Sequence, residues 1–409
     1  MSGIYRGWTV AGTTVASQMA QAGLLIYGFS ALALPLEREF GVSRAEVMIA
    51  STFLSLASSG FAPVAGWLVD RGSVKRLMLF GAAMLGFGFA LLPAATTIWH
   101  VWAIYALILP LANVLLGQIT SATLITRWFE KRRGRAMGLS TLGTSLGGFV
   151  FPMLFVTLAE IQGWQGAAMI CGMATAAMLA VLILLTVRDR PDKEEKTVEF
   201  AQTTVDGGET AAAALSTPAI LAKPAFWIIT IAVGLKIATY FALINNLAGF
   251  ADGVGIGALV AASMVSLLSL SSMAGKLAFG TLAEKIAAKW LFVGALAMTV
   301  ASFAILLFVD TTFSLGVACL LLGLSTGGML PLWGLIVAQH FGEASYGKAL
   351  GLTNLAMVPV TASASPLAGW SYDQTGGYSA AIWGAMAILT AATFMAALLK
   401  DSRTPEAAA

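Results

Sequence analysis

Twelve long apolar runs constrain this chain more than any other feature. They lie at roughly 7–34, 43–69, 76–95, 98–126, 134–159 and 164–187, and again at roughly 225–250, 255–282, 288–309, 313–339, 346–370 and 378–399. Each matches the ~20 apolar residues that cross a bilayer. A backbone in hydrocarbon must satisfy its own hydrogen bonds, so the runs predict helices. A membrane barrel would show alternation in segments of about ten residues, and these runs are too long and too uniformly apolar for that. The expectation is therefore an all-α membrane protein of twelve transmembrane helices. Composition agrees, since only 11% of the 409 residues are charged and 58% are hydrophobic, against about 25% charged in an average soluble chain. The lone Arg6 before the first run, without a small-residue cleavage site behind it, reads as the start of a first helix rather than a signal peptide.

Positive charge sets the expected orientation. With both termini cytoplasmic, nineteen Lys and Arg side chains lie inside and two, Arg38 and Arg44, outside. That bias selects a multi-pass protein of the cell (inner) membrane with this orientation. Residues 188–224 are polar and charged, without apolar periodicity, and read as a cytoplasmic linker between an N-terminal half (1–187) and a C-terminal half (225–409). The halves resemble each other at a near-constant offset. Gly66 and Asp70 map to Gly280 and Glu284, 214 residues on; Arg135-Ala136-Met137-Gly138-Leu139 maps to Lys348-Ala349-Leu350-Gly351-Leu352, 213 on; Pro152 maps to Pro366, 214 on. Three matches in register argue for two six-helix pseudo-repeats.

Specific motifs sharpen this. Gly66-Trp67-Leu68-Val69-Asp70-Arg71-Gly72-Ser73-Val74-Lys75-Arg76 resembles the loop between helices 2 and 3 of the major facilitator superfamily. Tyr5-Arg6-Gly7-Trp8, and the stretch Arg127-Trp128-Phe129-Glu130-Lys131-Arg132-Arg133-Gly134-Arg135-Ala136-Met137-Gly138, resemble the monocarboxylate transporter family and its bacterial oxalate/formate-type relatives. The resemblance implies the major facilitator fold and a carrier of small organic anions working by alternating access. In that family the eighth helix usually carries an arginine that meets the substrate carboxylate. Here the matching run is Gly275-Lys276 followed by Gly280-Thr281-Leu282-Ala283-Glu284, with Lys in place of Arg. Lysine offers a point charge rather than a bidentate fork. Some members place an acidic residue one turn earlier, where Ser272 stands here.

All twenty acidic residues fall at the ends of the runs or between them, Glu46 at the outer start of the second, so Lys236 and Lys276 are the only mid-membrane charges expected. Lys276 lies about 12 Å along a helix from Glu284, and Lys236 about 18 Å from Pro224, at ~1.5 Å per residue. Both are too deep to reach either surface easily. Facing lipid, each would cost on the order of 2.5–3.5 kcal/mol. An anionic substrate is the natural counter-charge; structural packing, or for Lys236 contact with a backbone carbonyl, is the bland alternative. Ser272 shares a face with Lys276, and Tyr240 with Lys236. Asn113, on one face with Gly117 and Thr120, serves either as substrate contact or as interhelical glue, and Gln18 and Gln21 complete the candidate substrate-binding set. Asp70, Arg71 and Arg127, with Glu284 and Lys285 in the second half, are candidates for a cytoplasmic gate, or else are ordinary interfacial charges. The Gly/Ser/Thr clusters at 140–148 and 323–328 signal close helix packing, with local unwinding at Pro331 a lesser alternative.

No nucleophile–base set and no metal cluster is visible, so neither an enzyme nor a metal or other cofactor is expected. Cys171 and Cys319, within apolar runs, read as packing residues. A net charge of +3 gives no reason to expect a nucleic-acid partner. The expected partners are a small carboxylate, protons and the lipid bilayer, with a monomer as the functional unit. The favoured reading is proton-coupled symport of monocarboxylates such as lactate or pyruvate. Dicarboxylate/monocarboxylate exchange is the rival, and drug efflux ranks lower because no acidic residue lies at mid-span.

Overall fold

A computed structural model describes residues 6–129, 132–190 and 215–399, and these are helical with no strand among them. Tyr5, Glu130, Lys131, the middle of the linker at 191–214 and the charges of 400–409 lie outside the described residues. In chain order the helices are α1 Gly7–Phe40, α2 Arg44–Arg71, α3 Val74–Ala94, α4 Ile98–Trp128 and α5 Arg133–Thr186. A short α6, Thr217–Leu221, precedes α7 Pro224–Gly253, α8 Ala258–Leu282, α9 Ala288–Leu306, α10 Thr312–Phe341, α11 Glu343–Thr375 and α12 Ser379–Ala397.

Ten of these are long and apolar enough to cross a membrane. α5 holds two helices joined at Gly163, whose φ of 74° and ψ of 168° are non-helical. A side chain is strained at that φ, so glycine is what lets the chain turn there. With α5 divided there and the less apolar α11 included, the candidate spans number ten to twelve, in line with the runs. Polar side chains close several ends. Ser43 and Glu46 form a reciprocal capping box at the start of α2, and Thr311 and Ser314 form another at α10.

The chain packs as two compact units, each with its own core. The first comprises Met1–Gly207, Leu247–Gly249 and Gly257–Ser266; the second comprises Gly208–Asn246, Phe250–Ile256 and Leu267–Ala409. Val10, Leu24, Phe29, Leu85, Tyr105 and Trp128 are among the buried core of the first. Phe226, Phe292, Leu332 and Val337 are among that of the second. Large apolar side chains also cover the outside: Trp99, Leu107, Leu185, Phe308, Phe313 and Phe394 are each 69% exposed or more. So much exposed apolar surface is tolerable only against lipid tails. The protein is a multi-pass membrane protein.

Two helices contain π-turns. α1 contains a π-turn at Ala22–Tyr27. α4 contains one at Ile104–Ile108 and then breaks at Leu116–Gly117, where Gly117 has φ −85° and ψ −149°. The break means that Asn113 does not share one continuous helical face with Gly117 and Thr120, as the spacing had implied. Pro110 cannot donate a backbone hydrogen bond, which favours wide winding just before it. Side chains satisfy the carbonyls freed at the break: Thr120 Oγ1 donates to Leu115 O at 2.9 Å and Ser17 Oγ donates to Leu116 O at 2.7 Å. α10, by contrast, runs unbroken through Pro331.

Candidate functional site

Lys236 stands in the middle of α7, twelve residues or about 18 Å from Pro224. It is 1% exposed. Its Nζ donates to Thr326 Oγ1 of α10 at 2.6 Å and lies 5.7 Å from the centre of the buried Tyr240 ring. Thr326 Oγ1 in turn donates to its own Leu322 carbonyl at 2.7 Å. An ammonium has three donors and no acceptor. Among the described residues this one meets a single hydroxyl and an aromatic face, and no carboxylate; the ion pair Arg44–Glu37, 3.2 Å, lies in the first unit.

The residue after Thr326 ties in the second lysine-bearing helix. A Cβ on Gly327 would overlap the Ser272 carbonyl oxygen and stand 2.8 Å from the Lys276 amide nitrogen. Gly275 of α8 is pressed likewise against the Leu324 carbonyl, and Gly323 against Leu268. The 323–328 cluster thus serves close packing, as its composition implied. α10 thereby joins α7 at Thr326 and α8 at Gly327, in adjacent residues. Ser272 is buried, as is Ser269 one turn earlier, whose Oγ has no hydrogen-bond partner among the described residues. Lys276 is half-buried and lies six residues, about 9 Å, before the Leu282 end of α8, shallower than Lys236. Lys236, Tyr240, Ser272 and Lys276 all belong to the second unit.

The candidates of the first unit form neutral chains. Gln21 Nε2 donates to Asn113 Oδ1 at 2.5 Å, and Asn113 Nδ2 donates to Ser58 Oγ at 2.8 Å, linking α1, α4 and α2. Gln18 Nε2 donates to Ser140 Oγ of α5 at 2.6 Å. These contacts fit the interhelical-glue reading of Asn113 and leave its substrate role open to experiment. Gly143 and Gly147 of α5 sit directly against the Val15 and Met19 carbonyls of α1, which explains the second small-residue cluster.

The gate candidates are mostly exposed. Arg127 Nη2 donates to the Val69 carbonyl at 2.8 Å, and the Arg71 guanidinium stacks 4.8 Å from the Trp67 ring centre. Among the described residues Asp70, Arg71 and Arg127 form no ion pair with one another, and neither do Glu284 and Lys285.

Sequence reading passed over Thr326, one member of the Gly/Ser/Thr cluster at 323–328, and the polar cluster at the far end of α7. There Asn245 Nδ2 donates to Ser365 Oγ at 2.9 Å, and Tyr378 Oη donates to Asn246 Oδ1 at 3.1 Å. Two adjacent asparagines in an apolar run were the available signal. Asn246 and Tyr378, with Thr239, also line a mostly apolar cavity of about 360 Å³ between α7, α11 and α12. Neither lysine lines that cavity.

The Major Facilitator Superfamily family model matches residues 15–366 and, in a second alignment, 250–409. The chain belongs to the Major Facilitator Superfamily. Its fold agrees: the crystal structure of a bacterial homolog to the human lysosomal transporter Spinster, described as inward-facing and unoccupied, superposes with a TM-score of 0.75 at 16% identity. That match covers 99% of this chain and 100% of the other. Among this superfamily member's relatives, an uncharacterized MFS-type transporter, YhjX of Escherichia coli K12, is 24% identical over 85% of this chain and 84% of its own length. Monocarboxylate transporter 13 of Rattus norvegicus is 26% identical over 88% and 84%. The oxalate:formate antiporter of Oxalobacter formigenes is 25% identical over 64% and 59%. The protein is thus a transporter of this superfamily, whose fold is that of carriers rather than enzymes.

Proposed function

We propose that this transporter carries small organic anions, monocarboxylates such as lactate or pyruvate, by proton-coupled symport with alternating access. The single observation behind the reading is Lys236: a mid-membrane amine, 1% exposed, with one hydroxyl partner and no carboxylate among the described residues. Such a group is costly unless a negative charge joins it. A carboxylate brings that charge from solution, and an amine that takes up a proton as the anion arrives links the two fluxes. Lys276, on the helix that α10 clasps one residue beyond Thr326, supplies the second positive charge. The similarity to proteins named monocarboxylate transporter and oxalate:formate antiporter supports the anion class.

A second reading, exchange of a dicarboxylate for a monocarboxylate, is favoured by the presence of two lysines rather than one. Uptake of labelled lactate, pyruvate and oxalate into proteoliposomes separates the two. Symport predicts lactate or pyruvate uptake stimulated by an inward proton gradient. Exchange predicts oxalate uptake stimulated by anion preloaded inside and indifferent to that gradient. Uptake of none of the three refutes both.

A further inference from the structure

Lys236 reaches α10 at one atom, and that atom is itself oriented. Thr326 Oγ1 gives its proton to the Leu322 carbonyl at 2.7 Å, so the lone pairs are what it turns toward Lys236 Nζ at 2.6 Å. A β-branched side chain in a helix has few rotamers, and the back-bond fixes one of them. The acceptor therefore exists before any ligand arrives. It also stands next to Gly327, where the Ser272–Lys276 turn of α8 closes on α10. We propose that Thr326 is a positioning residue for anion binding: its hydroxyl holds the Lys236 ammonium beside the α8–α10 seam and leaves the other donors for a carboxylate. The proposal rests on the anion-carrier reading given above. It assigns to the 323–328 cluster, whose glycines account for packing, one side chain with a separate task. A threonine kept only for its shape would be replaceable by valine, which has the same branching and no hydroxyl.

The test is the kinetics of lactate and oxalate uptake in proteoliposomes containing equal amounts of reconstituted protein. Thr326→Val is expected to raise KM about tenfold, a factor that corresponds to about 1.4 kcal/mol, with kcat within about twofold of wild type. Thr326→Ser, which keeps the hydroxyl, is expected to retain a near-wild-type KM. Should Thr326→Val fail to insert, Thr326→Ala removes the same hydroxyl and is read in its place. Loss of uptake in Lys236→Met with an unchanged KM in Thr326→Val overturns the positioning role and leaves the anion-carrier reading standing. Equal damage by Thr326→Ser and Thr326→Val also overturns it, since packing would then account for both. Wild-type uptake by Lys236→Met removes the carrier reading and this proposal together.

Discussion

Removing a buried charge and removing a binding group have opposite expected effects on stability and on function, and Lys236 allows the two to be separated. Lys236→Met keeps most of the side-chain volume and removes the charge. Replacing buried ionic groups by apolar ones of similar size is often neutral or stabilising, by about 1–4 kcal/mol where whole pairs are replaced. The variant is therefore expected to melt in detergent at or above the wild-type temperature while anion uptake falls at least tenfold. A lower melting temperature would show that Lys236 is structural, the bland alternative. Its oddity was legible in the sequence because a charge in an apolar run stands out. Its partner was not, because which residue of α10 faces position 236 depends on helix–helix register, and Thr326 is one hydroxyl among glycines. Lys276 drew attention first on family resemblance, yet it is the shallower and less buried of the two.

At the scale of helices, close approach and local breaks do most of the shaping. Gly327→Ala would drive a methyl into the Ser272 carbonyl, whereas Gly280→Ala has nothing within 4 Å. Overpacking of this kind costs about 1–3 kcal/mol, so the first change is expected to lower the melting temperature and the second to leave it unchanged. At the α4 break, Thr120→Val strips the hydroxyl that serves the Leu115 carbonyl. A polar contact between groups in the membrane is worth about 0.6–1.7 kcal/mol, and a loss of stability of that order, seen as a lower melting temperature, is expected. The existence and type of the spans were legible because twenty-residue apolar runs admit few structures. The break at Leu116–Gly117 was not, because it depends on Ser17 of α1 arriving to satisfy a freed carbonyl. Reading Asn113, Gly117 and Thr120 as one face assumed regular winding that the chain does not keep.

For the molecule as a whole, both compact units hold neutral polar clusters, and what separates them is the pair of lysines. The first holds neutral amide and hydroxyl chains through Gln18, Gln21 and Asn113; the second holds both membrane lysines. That asymmetry is not visible in the sequence matches at the 213–214-residue offset, which concern glycines, prolines and charges at helix ends. For the proposed anion carrier, it puts the counter-charge on one unit alone. The most direct measurement is uptake of labelled lactate and oxalate by wild type and Lys236→Met in parallel, each with an imposed proton gradient and with anion preloaded inside. Wild-type protein should accumulate at least one of the two anions, under one of those driving forces, and Lys236→Met should not. Equal accumulation by both proteins, or none by wild type under either driving force, would contradict the claim that a buried lysine awaits an anion.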